Sequence, residues 1–379
     1  MALRPDRRTA RPGARVESRS VLTRTASLPL TSLIRRDVDL SLLNTLRLPG
    51  RAAAFATITS IDQLEDVRRQ WRLEAPDGRR FVLGGGSNLV LTQDFNGLIL
   101  QMAILGKQKI GEDDDAVYVA AAAGEDWNTF VQWTLAQGWP GLENLSLIPG
   151  TVGAAPVQNI GAYGLELSER LHEVEALDLD SGESRRFDRA ACRFAYRDSV
   201  FKQEGWHRSG QMAIVRVVFR LPKKWTPLTR YADLGQELEA RQIAEPNPAD
   251  IAAAVTAVRR RKLPDPAILP NAGSFFQNPV VDIVTATKLA AHYPDLPRYR
   301  TTPASPDRIK LAAGWLIEQA GWKGRSIGPV GMYEKQALVL VNHDPATARG
   351  TDVGLLAEAV RQDVKRKFGV WLSPEPVFI

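Results

Sequence analysis

Two glycine tracts, FVLGGGSNLVL at 81–91 and LSLIPGTVGAAPVQNIGAYG at 145–164, constrain this chain more than any other feature. Three successive glycines let the backbone take positive φ and bring N–H groups close to an anion, the way a backbone nest holds phosphate. The first tract has no lysine followed by serine or threonine, so it is not a Walker loop. Nor does it open a helix as a dinucleotide fingerprint does, because Leu89, Val90 and Leu91 continue as a strand. Read alone, it serves equally as a phosphate cradle or as a tight bend packed on neighbouring backbone.

The second tract holds Gly150, Gly153, Gly161 and Gly164 with Ala154, Ala155 and Ala162, so little side-chain bulk keeps a ligand from the main chain. Thr151, Gln158, Asn159 and Tyr163 supply donors and acceptors at intervals. Long loops in compact domains tend to carry function, the plain alternative being an irregular connection. Two such tracts in adjacent α/β units, neither with P-loop chemistry, point to an extended ligand with a diphosphate and a ring. FAD is one such ligand.

Periodicity supplies the frame. Ser60 and Gln63 have capping-box spacing, and Leu64, Val67 and Trp71 recur at helical intervals. Strand, glycine turn and strand follow through residue 91, with a further strand at 97–104. AVYVAAAAG at 116–124 alternates as a strand, and Trp127, Phe130, Val131 and Leu135 then share one helical face before Gly138. Strands are expected at 172–179 and 212–221. NPADIAAAVTAVRRRKLPDP, 247–266, reads as a helix with Ile251, Val255 and Val258 on one side, ended by Pro264. RIKLAAGWLIEQAG, 308–321, reads as one helix, ALVLVN as a strand, 351–368 as a helix, and the end as a strand.

At 379 residues the chain has room for two or three domains. No apolar run approaches the roughly 20 residues that span a bilayer, and no signal-peptide core stands near Met1, which argues against export and membrane insertion. Cys192 is the only cysteine, and His172, His207, His292 and His343 are scattered, so neither a disulfide nor a metal site is expected. The formal charge of +6 is local: nine arginines against four acids in residues 1–40 account for five of it. No nucleic-acid face is expected from such a distribution. Residues 1–39 read as a disordered basic leader, with folded sequence beginning near Leu40.

GGGSNLV, IPGTVGAAPVQNIGAYG, FAYRDSVFK, NAGSFFQNP, KLAAGWLIEQAG and the terminal PEPVFI, in this order, resemble the UDP-N-acetylenolpyruvoylglucosamine reductases of bacterial peptidoglycan synthesis. The resemblance runs from about Asn44 to Ile379. It implies an α+β chain of the vanillyl-alcohol-oxidase type: two α/β units binding FAD non-covalently and a third α/β domain for the substrate. The corresponding ranges are 40–105 with 371–379, 106–263 with a tyrosine-bearing loop of the longer family type, and 264–370. It also implies reduction of UDP-N-acetylglucosamine enolpyruvate to UDP-N-acetylmuramate with NADPH, by a cytoplasmic monomer.

By the same resemblance Ser274 is the proton donor, and Arg197 and Glu375 polarise the substrate carboxylate. Tyr231, Lys262, Asn278, Gln319 and Tyr196 bind substrate. Gly84, Gly85, Gly86, Ser87, Asn88 and Leu89 join Thr151, Gly153, Ala154, Gln158, Asn159, Gly161, Ala162 and Tyr163 in binding FAD. Two carboxylates would repel, so Glu375 is best placed protonated or beside Arg197. No histidine lies in either tract, which argues against a covalent flavin bond. No separate dinucleotide fingerprint is visible, so NADPH is expected to share the substrate's site in alternate turns. The rival readings are another flavin oxidase of this fold and a non-catalytic nucleotide-sugar-binding protein. The joint presence of Ser274, Arg197 and Glu375 disfavours both.

Overall fold

The computed structural model describes residues 32–301 and 306–379, so most of the expected leader lies outside the described residues. Folded structure begins earlier than Leu40. Arg35–Asp39 is a strand antiparallel to Arg51–Ile58. Its charge made it read as solvated arm, but Arg35 lies 4.9 Å from the Phe55 ring centroid and Arg36 5.7 Å from that of Trp71. Cations over rings anchor an edge strand whose charges also discourage further pairing.

That strand starts a four-stranded sheet ordered Arg35–Asp39, Arg51–Ile58, Phe95–Met102, Arg80–Leu83, the last three parallel. Helix Ile61–Glu74 makes the crossover, capped as expected by Ser60 Oγ on the Gln63 amide and burying Leu64, Val67 and Trp71. A five-stranded antiparallel sheet follows, ordered Ser184–Asp188, Leu171–Asp178, Met212–Pro222, Ala116–Ala122, Lys107–Glu112. Helix Trp127–Ala136 packs Trp127, Phe130 and Val131 into its core.

Beyond helix Pro248–Lys262, an antiparallel sheet joins Asn271–Ser274, Val339–Asn342, Val330–Met332 and Ser326–Ile327. The single helix expected over 308–321 is corrected here. Arg308–Leu311 is a strand between Val280–Asp282 and Arg298–Arg300, and the helix runs only from Ala313 to Gln319. Pairing on both sides overrides the helical spacing of RIKL. One apolar core continues from residues 40–99 into 272–372, so the first and third units are welded together. The C-terminal strand Val377–Phe378 returns to pair in parallel with Leu89–Val90, just past the first glycine tract.

Candidate functional site

Strand Arg80–Leu83 delivers the chain into the first glycine tract, and each glycine there meets a neighbour. A Cβ on Gly84 would stand 2.8 Å from Thr151 Oγ1, and one on Gly85 3.0 Å from Gly150 Cα. Gly86 has φ +67°, and a Cβ there would lie 2.0 Å from the Leu43 carbonyl oxygen. The two tracts therefore touch through bare backbone. Side chains lock that contact: Ser87 Oγ donates to Pro149 O at 3.3 Å, and Asn88 Nδ2 donates to Gln158 Oε1 at 3.0 Å and Glu375 O at 3.2 Å. These bonds occupy the Asn88 side-chain amide within the protein, while Asn88 still lines the cleft. The backbone N–H groups of Gly85, Gly86 and Ser87 have no acceptor among the described residues. They form the free anion-binding nest.

The cleft beside this nest has a volume of about 160 Å³ and opens to solvent. Gly84 through Leu89 line it with Thr151, Gly153, Ala154 and Gln158. Its deeper wall is apolar, with Phe81, Met102, Trp127, Met212 and Ile214. Thr151 Oγ1 is buried there without a hydrogen-bond partner. Free amides, an orphaned hydroxyl and an apolar wall fit a dinucleotide that carries a diphosphate and a flat ring.

The end of the second tract serves a different purpose. Asn159, Gly161, Ala162 and Tyr163 are not in the cleft wall. Asn159 Nδ2 is turned to Glu166 Oε2 at 2.8 Å and Ala195 O at 3.1 Å, and Gly161–Ala162 pairs with Leu165–Glu166. What this segment holds is Arg197, which donates from Nη2 to Gly161 O at 2.8 Å and from Nη1 to Asn159 O at 3.5 Å. Arg197 Nε reaches Glu375 Oε1 at 3.2 Å. Burial raises the Glu375 pKa, opposed by Arg197 and then Lys202. Of the two alternatives expected for that carboxyl, the arginine is beside it, and burial also favours its neutral form.

Glu375 is brought to this point by the segment before the C-terminal strand, where Pro374 bridges Phe276: its amide donates to Phe275 O at 2.8 Å, and Gln277 N donates to Ser373 O at 2.9 Å. Ser274 is thereby next to the Glu375 segment, exposed, its hydroxyl without a protein hydrogen bond among the described residues. Tyr196 OH accepts from Asn278 N at 3.3 Å, and Asn278 Oδ1 caps the helix at Ala313 N at 2.9 Å. Tyr231 packs edge-on against Tyr163 with centroids 5.1 Å apart. Lys262 is ion-paired with Asp233 at 2.7 Å. Gln319 does not line the cleft. It is exposed at the far end of its helix, and its carbonyl accepts from Lys367 Nζ at 2.5 Å.

Several groups escaped the sequence reading. Lys202, Trp206 and His207 line the cleft, although none lies in a glycine tract. His207 Nδ1 is 3.3 Å from Phe201 O, and burial lowers its pKa, which keeps the ring neutral. Lys310 Nζ sits 4.4 Å from the Tyr196 ring centroid, and burial lowers its pKa while Glu166 opposes the shift. Lys202 at least stood inside the FAYRDSVFK motif; His207 had no local signal. Cys192 is buried, its thiol pushed up to about 12 by burial, and has no place in the site.

Known proteins bear the same pattern. Residues 265–379 match the family model for the UDP-N-acetylenolpyruvoylglucosamine reductase C-terminal domain, and residues 52–188 match an FAD binding domain. The chain is 59% identical over 343 residues to a UDP-N-acetylenolpyruvoylglucosamine reductase of Dechloromonas aromatica, covering 90% of this chain and 98% of that protein. It is 56% identical over 352 residues to one of Azoarcus sp., with 91% and 98% covered. Among solved structures, a UDP-N-acetylenolpyruvylglucosamine reductase from Thermus caldophilus shares the fold at TM-score 0.62 and 23% identity, with 91% and 99% covered.

Proposed function

The chain belongs to the UDP-N-acetylenolpyruvoylglucosamine reductase family, and from that premise we propose how its own residues reduce an enolpyruvyl ether. The reaction converts UDP-N-acetylglucosamine enolpyruvate to UDP-N-acetylmuramate, with NADPH as reductant, in a cytoplasmic monomer. FAD bound in the cleft would supply the hydride chemistry that carries reducing equivalents from NADPH to the β-carbon of the enolpyruvyl group. The nest at Gly85–Ser87 would hold its diphosphate, and the apolar wall would receive its rings. The first two α/β units hold the cofactor and the third covers the substrate.

Hydride arriving at the β-carbon drives negative charge toward the α-carbon and its carboxylate, so the protein must bind that charge and supply a proton. Arg197 carries the positive charge. Glu375, raised toward its neutral form, donates a hydrogen bond where an ionised carboxyl would repel. Ser274 Oγ gives its proton to the α-carbon and recovers one from solvent, so that hydride and proton together saturate the double bond. Tyr231, Lys262, Asn278 and Tyr196 orient the nucleotide sugar.

The observation that carries this reading is the contact of Arg197 with Glu375, beside Ser274, at a cleft walled by both glycine tracts. The test is to purify the protein, identify the flavin released from it, and follow NADPH oxidation with and without the enolpyruvyl sugar nucleotide. Consumption that requires the sugar nucleotide and yields UDP-N-acetylmuramate is expected. Steady NADPH consumption matched by oxygen uptake, indifferent to the sugar nucleotide, would point to an oxidase.

A further inference from the structure

The half-buried side chain of Lys202 has no part in the chemistry assigned to Ser274, Arg197 and Glu375. It projects from the short helix Val200–Gln203 and lines the cofactor cleft beside Glu375. No carboxylate lies within ion-pair distance of it among the described residues. One of its three donors is used, on Arg197 O at 2.7 Å. Even partial removal of an ammonium from water without an acid partner is unfavourable unless a negative or electron-rich group meets it. Burial lowers its pKa in line with that cost, against the opposing pull of Asp198 and Glu375.

The carbonyl it grips belongs to a strained residue. Ala195 and Asp198 exchange backbone hydrogen bonds at 3.1 Å, which makes Tyr196 and Arg197 the central pair of a tight turn. Arg197 has φ +54° in the position where such turns favour glycine or asparagine. Surrounding bonds must hold such a conformation. Gln203 Nε2 donates to Asp198 Oδ2 at 3.0 Å and Ser199 Oγ to Val157 O at 2.5 Å, while Lys202 ties the arginine itself.

We propose that Lys202 is the cation presented to the bound flavin, favouring its reduced form, and that its bond to Arg197 O holds the arginine turn in register with the same cleft. The proposal rests on the FAD reading. A two-electron-reduced flavin carries more negative charge than the oxidised one, and a fixed cation in a poorly solvated cleft stabilises the difference. Lys202 acts on the cofactor by charge and on Arg197 by position.

The test is the midpoint potential of the flavin in the holoenzyme, measured against a reference dye for wild type, Lys202→Met and Lys202→Arg. The equilibrium constant for reduction is expected to fall about tenfold in the methionine variant, about 30 mV for a two-electron couple, and to return in the arginine variant. Transfer to the enolpyruvyl substrate slows in the methionine variant beyond what the potential explains, because Arg197 loses its anchor. A role in packing alone would lower flavin content without moving the potential of the flavin that remains. An unchanged potential in Lys202→Met overturns the proposal. If that variant retains no flavin, Lys202→Gln is measured in its place. Loss of flavin from both neutral variants but not from Lys202→Arg supports the charge, and loss from all three overturns it. A wild-type protein purified without flavin would instead sink the FAD reading.

Discussion

Gly86→Ala tests why the first tract is built of glycine. At φ +67° any L side chain is disfavoured by about 1–2 kcal/mol. The new Cβ would lie 2.0 Å from Leu43 O, where real contacts stay beyond 3.0 Å, so loop or partner must move by about 1 Å. Overpacking of that kind costs about 1–3 kcal/mol. The same movement loosens the Thr45 N to Gly86 O bond of 3.1 Å, about 1 kcal/mol more. A loss of about 3–6 kcal/mol is a large share of the ~5–15 kcal/mol that holds a domain together. Gly138→Ala is the control: φ is +76°, nothing lies within 4 Å of its Cβ, and only the about 1–2 kcal/mol of backbone strain applies. Urea unfolding in excess FAD, followed by circular dichroism, gives both losses, and flavin per polypeptide reports the nest. Gly86→Ala should lose clearly more stability than Gly138→Ala and bind less FAD. Equal losses with full flavin content would refute the argument from contact.

Other outcomes test the chemistry. Ser274→Ala should leave flavin reduction by NADPH intact and slow transfer to the sugar nucleotide by about 10²–10⁴-fold in stopped-flow traces; equal slowing of both halves would argue against proton donation. Burial raises the folded-state pKa of Glu375, so its stabilising contribution is complete below the unfolded value and is lost as pH rises through the folded one. Urea unfolding from pH 4 upward should therefore show Glu375→Gln gaining stability relative to wild type, and a flat difference would contradict a buried, raised carboxyl. A site shared by NADPH and substrate predicts parallel initial-rate plots and substrate inhibition, whereas intersecting plots would require separate sites. Acid precipitation should release the flavin into solution; a yellow pellet would show a covalent bond, for which His207 in the cleft is the candidate.

Much of the frame was legible because local rules and tertiary packing agree. The Ser60 cap, the buried face of Leu64, Val67 and Trp71, and the strand after Asn88 all follow from spacing. Reading failed where long-range pairing overrode it. RIKL has helical spacing but lies between two strands, and Arg35–Asp39 looks solvated but is held by rings that come later in the chain. Gln319 sits in a recognisable helix, yet it is exposed at that helix's last residue. His207 and Lys202 reach the cleft only through the turn and short helices after Arg197.

Two small-residue tracts, the first joining strands, and Ser274, Arg197 and Glu375 in the order of one reductase family are legible before any fold is known. Those are properties of residue type and spacing. Tertiary structure alone decided what the glycines are for. Their missing side chains let two tracts meet at Gly85 and Gly150 and let Gly86 pass under Leu43, which leaves the amides, not the side chains, free for a ligand. It also decided the state of Glu375, because burial and an arginine 178 positions away are facts of packing that no local pattern of residues encodes.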